Sequence, residues 1–108
     1  MSYKIIATTT FEKNLKSLFK KYRSLKNDLL VLQQEITANP RTGDFLGNDV
    51  YKIRLAIKSK GKGKSGGARV ITHLKVTNEI VYLISIYDKS EKDTISDNEI
   101  KELLKRID

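Results

Sequence analysis

The sequence alternates between apolar and polar residues at positions 51–58, which read Tyr51-Lys52-Ile53-Arg54-Leu55-Ala56-Ile57-Lys58. Successive side chains of a β-strand point to opposite faces of a sheet, so this alternation predicts a strand with one buried face. The face that turns away from the core would then carry Lys52, Arg54 and Lys58. We expect a sheet that is apolar on one side and positively charged on the other.

Two further β-forming runs follow at 69–74 and 80–87, and residues 77–79 predict the hairpin turn between them. A loop rich in Gly and Lys, residues 59–68, precedes the first of these runs. Residues 3–7 form a short β-prone segment that must pair with the later strands, because it is too brief to stand alone.

The rest of the chain has helical patterns. Apolar residues recur at helical spacing in 11–22, 25–36 and 100–107. Capping boxes are expected where a Thr or Ser precedes a Glu by three residues, which occurs at Thr9-Glu12 and Ser96-Glu99. The element order β-α-α-β-β-β-α predicts a single α+β domain over residues 1–108, in which a helical hairpin covers one face of the sheet. Phe45 and Leu46 should anchor the connecting loop to the core.

Composition favours an anionic partner. Lys and Arg number 21 against 13 Asp and Glu, and the formal net charge is +8. Such an excess favours nucleic acid over a membrane surface, because the basic residues lie on strands and a loop rather than on one amphipathic helix. The chain has no cysteine and one histidine, so we expect no disulfide, metal or other cofactor. Without a signal-peptide pattern or an apolar run of about 20 residues, a cytoplasmic location is expected.

The cations on the predicted sheet are the sharpest candidate site. Arg69 would project beside Lys52 and Arg54 from a neighbouring strand, and like charges so placed are unfavourable unless they are solvated or bind an anion. The planar fork of arginine fits phosphate oxygens. In the opposing interpretation, Glu99 or Glu102 of the last helix pairs with these cations.

Residues 61–66, Gly-Lys-Gly-Lys-Ser-Gly, match the G-x-G-x-x-G dinucleotide pattern only in letters. That motif requires a strand before it and a helix after it, whereas a strand beginning at Arg69 follows here. The glycines would still let the backbone approach an anion closely, and the lysines would supply charge. A flexible loop with solvated lysines remains equally compatible with the sequence. His73 fits a packing or hydrogen-bonding role as well as proton transfer.

Three segments in this order resemble the RelE/ParE superfamily of bacterial type II toxins, and within it the HigB-like branch. They are residues 51–56, residues 63–71 (Gly-Lys-Ser-Gly-Gly-Ala-Arg-Val-Ile) and residues 82–92. The leading strand, the helical hairpin and the closing helix also follow the family's order. The resemblance implies a small RelE-like α+β domain: a twisted antiparallel sheet with an N-terminal helical hairpin and a C-terminal helix.

The resemblance further implies a ribosome-dependent mRNA endoribonuclease that works without a metal and is neutralised by a cognate antitoxin. In this chemistry the ribose 2′-hydroxyl attacks the adjacent phosphate and leaves a 2′,3′-cyclic phosphate. Carried over by position, the catalytic residues are Lys52 and Arg54 beside the phosphate, Arg69 stabilising the transition state, Lys89 on the phosphate or leaving oxygen, and Tyr87 stacking on the base. Contacts with mRNA or ribosomal RNA are expected from Lys58, Lys60, Lys62, Lys64 and His73.

Two departures from the family's pattern are visible. RelE carries an aromatic residue near its C-terminal end, where this chain reads Thr94-Ile95, and histidine-based HigB sites are not matched because His73 is the only histidine. The proton acceptor and donor therefore stay unassigned. The alternatives are a ParE-like inhibitor of DNA gyrase without nuclease activity and a non-catalytic basic RNA-binding module.

Overall fold

The computed structural model describes residues 3–92 and 94–107. Within them, the elements in chain order are β1 (Lys4–Ala7), α1 (Thr9–Phe19), α2 (Leu25–Ala38), β2 (Asp44–Phe45), β3 (Val50–Leu55), β4 (Ala68–Lys75), β5 (Ile80–Asp88) and α3 (Asp97–Lys105). The strands form one sheet in the order β1-β5-β4-β3-β2. This arrangement confirms the α+β class and the helical hairpin, and adds the two-residue strand β2 to the predicted order.

The sheet is mixed rather than antiparallel. β2, β3, β4 and β5 pair antiparallel to their neighbours, but β1 runs parallel to β5, with Lys4 opposite Ile80 and Ala7 opposite Leu83. A parallel pair requires a long crossover connection, and the helical hairpin is part of the chain that makes it. The expectation of an all-antiparallel sheet was therefore wrong at one edge.

The two faces of the sheet are covered differently. The hairpin face, defined by Tyr51, Ile53, Leu55 and Val70, packs with α1 and α2 into the larger apolar cluster. The opposite face, here the α3 face, carries a smaller cluster in which Val50, Ile71 and Ile84 contact Ile100 of α3. The alternation predicted for residues 51–57 is confirmed, since Tyr51, Ile53, Leu55 and Ile57 are all buried.

The observed element boundaries agree only in part with those predicted from the sequence. Ser96 and Glu99 form the predicted capping box at the start of α3. At α1, however, the cap is Thr8, whose hydroxyl accepts from the backbone N–H of Phe11 at 3.2 Å, so the prediction of Thr9 was one residue late. Phe45 was wrongly expected in the core: on the edge strand β2 it is 63% exposed and contacts only the ring of Tyr51 among the aromatic side chains described.

Candidate nucleic-acid interface

The α3 face has a cationic end and an apolar end. Arg54, Arg69 and Tyr87 stand opposite one another across β3, β4 and β5, a row that spans about 10 Å at the usual strand spacing. Four residues farther along β4, His73 stands between Val50 and Tyr82 and lines a cavity of about 540 Å³ together with Leu104. The structure therefore does not bring His73 together with the predicted arginines.

Lys52 and Arg54 are the cations of β3 on this face. Arg54 is exposed, Lys52 is half-buried, and both line a groove of about 350 Å³ that Lys64 and Glu35 also line. Lys64 lies 3.7 Å from Glu35 in an exposed ion pair. Asp44 of β2 stands opposite Lys52 and lines the same groove, but within residues 3–92 and 94–107 neither Lys52 nor Arg54 forms an ion pair.

The acidic residues of α3 do not neutralise this cationic end. Glu99 pairs with Lys92, which lowers the pKa of Glu99, chiefly through the hydrogen bond from the lysine. Glu102 pairs with Lys105 at 3.4 Å, one turn away on the same helix. The opposing interpretation from the sequence, in which Glu99 or Glu102 covers the sheet cations, is therefore contradicted.

Arg69 is placed differently from the sequence expectation. Its side chain is buried, with 4% of the residue exposed, and its guanidinium donates to backbone carbonyls of the Gly-Lys loop. Nη1 donates to the Lys64 oxygen at 2.9 Å and the Ala68 oxygen at 3.0 Å, and Nη2 donates to the Ser65 oxygen at 3.1 Å. Arg69 thus belongs to the predicted row but holds the loop, so it is not the freely exposed phosphate ligand that the pattern suggested.

Lys60 is also placed away from solvent, contrary to its predicted contact with RNA. Its Nζ lies 2.6 Å from Oδ1 of Asp88 and 5.7 Å from the centroid of the Tyr22 ring. Asp88 is 1% exposed and also accepts from the Tyr22 hydroxyl and from the backbone N–H and hydroxyl of Ser90. Because this cation is committed to a buried carboxylate, Lys60 cannot serve as a surface contact while the pair is intact.

The titration of Asp88 and Tyr22 reflects their contact. Burial alone would raise the pKa of Asp88, but the hydrogen bonds from Lys60, Tyr22 and Ser90 hold it well below its usual range. The same contact, together with burial, raises the pKa of the Tyr22 phenol to about 12. Asp88 therefore stays ionised in the folded protein at neutral pH.

The remaining predicted residues lie around the same end of the sheet. Lys58 and Lys62 are exposed, and Tyr87 and Lys89 are half-buried. The backbone N–H of Lys89 donates to the carbonyl of Gly67 at 3.1 Å, which joins the end of β5 to the loop. Gly67 itself is required there, since a Cβ would lie 2.0 Å from the Leu55 oxygen.

The sequence analysis did not predict two residues that contribute to this end of the sheet, Lys92 and Asp88. Lys92 lies with its Nζ 5.2 Å from the centroid of the Tyr87 ring, within cation–π range. Asp88 lies two residues after Ile86 in β5, so both side chains point to the same side of the strand. The carboxylate of Asp88 therefore occupies a core-facing position. A charged residue at a core-facing position of a strand was the available signal that Asp88 has a buried partner.

The described part of the chain, residues 3–92 and 94–107, contains neither a metal-binding cluster nor a membrane-spanning helix. In it, no three His, Asp or Glu side chains come close enough together to hold a metal ion. None of its helices has both the length and the apolar character required to cross a membrane.

Comparison with known proteins agrees with this architecture. The model of the family described as RelE toxin of the RelE / RelB toxin-antitoxin system matches residues 3–107. The chain belongs to the RelE toxin family. Among solved structures, an arginine-to-alanine double mutant of the E. coli toxin RelE in the free state superposes with a TM-score of 0.63 at 22% identity, covering 99% of each chain. This likeness supports the RelE fold, and the family match confirms the resemblance to RelE toxins seen in residues 51–92 without distinguishing the HigB-like branch.

Proposed function

We propose that this RelE-family toxin cleaves mRNA on the ribosome, with the ribose 2′-hydroxyl as the nucleophile and a 2′,3′-cyclic phosphate as the product. The observation that supports it most directly is Arg54, an exposed guanidinium in line with Arg69 and Tyr87 and without an acidic partner among the residues described. Such a group can stabilise the charge that builds on a phosphate during attack.

The roles we assign follow the positions of the side chains. Lys52 and Arg54 would contact the scissile phosphate from β3. Tyr87 would stack on the neighbouring base, and Lys89, at the end of β5, would contact phosphate or the leaving oxygen. Arg69 would add positive potential from beneath the loop and would act directly only if its carbonyl contacts open.

The loop would extend the interface toward ribosomal RNA. Its exposed lysines Lys58, Lys62 and Lys64 can bind backbone phosphates without sequence preference. The proposal leaves out Lys60, which is held by Asp88, and His73, which lies under the far end of α3. The extended Gly-Lys loop also supports the HigB-like branch, and a cognate antitoxin would mask the cationic end of the α3 face.

The experiment that tests this function uses a translating extract containing a defined mRNA. We expect the protein to generate new RNA ends within the coding region only when the message is being translated, with a 2′,3′-cyclic phosphate on the upstream fragment. A supercoiling assay with DNA gyrase is run in parallel. Intact mRNA with inhibited supercoiling would instead favour the ParE-like alternative, and intact mRNA with RNA binding alone would favour the non-catalytic module.

A further inference from the structure

The Gly-Lys loop has a root and a tip that are held by different groups. The loop root, residues 58–60, forms a single 3₁₀ turn directly after β3. The loop tip, residues 61–66, is the part that reaches Arg69 and carries the exposed lysines Lys62 and Lys64. The position of the tip therefore depends on the root at one end and on Arg69 at the other.

Each residue of the loop root contacts the helical hairpin or the end of β5. The backbone N–H of Lys58 lies 3.3 Å from Oδ2 of the buried Asp28, and that of Ser59 donates to the Ser24 hydroxyl at 2.8 Å. The Ser24 hydroxyl in turn donates to Asp28 at 2.7 Å. Lys60 completes the series through its ion pair with Asp88. The root is therefore bonded at three successive positions.

Asp88 joins this root to the candidate interface. It directly follows Tyr87 and precedes Lys89, and its carboxylate is directed to the hairpin side, where it meets Lys60 and Tyr22. The carboxylate thus fixes the loop root and the end of β5 to the same point. Because an unpaired buried charge is strongly unfavourable, neither Lys60 nor Asp88 can leave this arrangement alone.

The loop tip is held by weaker means. Arg69 binds the carbonyls of Lys64 and Ser65, and Gly61 and Gly63 adopt left-handed backbone conformations with φ of +73° and +62°. No atom lies within 4 Å of where a Cβ would stand at either glycine. The tip has open space around these two glycines. Its direction is set by the root at one end and by Arg69 at the other, with an exposed ion pair between Lys64 and Glu35 of α2.

We propose that Asp88 and Lys60 are positioning residues for RNA cleavage: their buried ion pair fixes the loop root, and through it the loop tip above Arg69. The inference rests on the proposed function, since RNA is the ligand that the positioned groups would meet. Neither residue touches the substrate. Their loss displaces the tip and the end of β5 and misplaces the groups that contact the phosphate, which lowers the rate of the chemical step more than it weakens binding.

The test compares full-length variants in the translating extract, with the amount of folded protein fixed by circular dichroism. For Asp88→Asn we expect kcat to fall roughly 10- to 100-fold, with a smaller rise in KM because the displaced tip carries Lys62 and Lys64. Lys60→Arg keeps the charge and should recover most of the rate, whereas Lys60→Met should not. Glu91→Gln is the matched control, because it breaks the exposed Lys21–Glu91 pair near the same end of β5, and it should leave the rate unchanged.

Hydrogen exchange of the wild-type protein and Asp88→Asn separates this inference from the proposed function. Faster exchange of amides 61–66 in Asp88→Asn is expected whether or not RNA is cleaved. If the wild type cleaves no mRNA, the proposed function fails, while faster exchange would still support the positioning of the tip. The inference is overturned if Asp88→Asn lowers the melting temperature but leaves kcat per folded molecule and the exchange of 61–66 at wild-type values.

Discussion

The charged side chains on the two faces of the sheet differ in whether they have partners within the protein. On the hairpin face, the buried acids Asp28 and Asp88 are bonded to partners that include Lys60. On the α3 face, Lys52 and Arg54 form no ion pair within the described residues. The first arrangement satisfies the protein's own groups and fixes the loop. The second leaves two cations that an external anion can bind, so function is expected to reside on the α3 face.

The largest effect on stability should come from the hairpin face. Leu32→Ala removes a side chain of α2 that is 1% exposed, and we expect the free energy of unfolding to fall by about 2–5 kcal/mol. Leu30→Ala, on the same helix but 54% exposed, is the matched control and should change it by no more than about 0.5 kcal/mol. Urea denaturation measures both, and equal losses would contradict the burial that distinguishes these two leucines.

A smaller, pH-dependent effect should come from Asp88. Its pKa in the folded protein lies below the ordinary 3.8, so its contribution to stability is fully present above that pH and is lost as the pH falls below it. We expect the wild type to lose about 1.4 kcal/mol per pH unit from this group below about pH 4. Asp88→Asn removes the titrating group. Below about pH 4, the free energy of unfolding of this variant should therefore fall less steeply with pH, by about 1.4 kcal/mol per pH unit.

Denaturation curves at several pH values measure this difference. If wild type and Asp88→Asn lose stability in parallel from neutral pH to about pH 3, the carboxylate is not held ionised by its partners. In that case the constant difference in stability between the two proteins would come from lost packing rather than from the lost charge.

The sequence was sufficient where neighbouring residues determine the structure. The alternation around Ile53 and Leu55 predicted β3 and its buried face, and the Ser96–Glu99 spacing predicted the start of α3. Both depend on residues close in the chain, whose spacing determines which side of an element they occupy.

The sequence was insufficient where residues distant in the chain meet. Lys60 meets Asp88 across 28 positions and Tyr22 meets Asp88 across 66, and no periodicity encodes such pairs. The alternation of side chains along β4 predicted the correct face for Arg69. Its burial, however, depends on how the loop folds back over it. The strand alternation could therefore predict that cations gather on this face, but not which of them stay exposed.

The most direct test of the account compares two exposed arginines, Arg54 on the α3 face and Arg23 in the turn between α1 and α2. The measurement is the single-turnover rate of mRNA cleavage on the ribosome for Arg54→Gln and Arg23→Gln at equal concentrations of folded protein. We predict a loss of roughly 100- to 1,000-fold for Arg54→Gln and a rate close to wild type for Arg23→Gln. Equal rates for the two variants would contradict the claim that the cationic end of the α3 face acts on RNA.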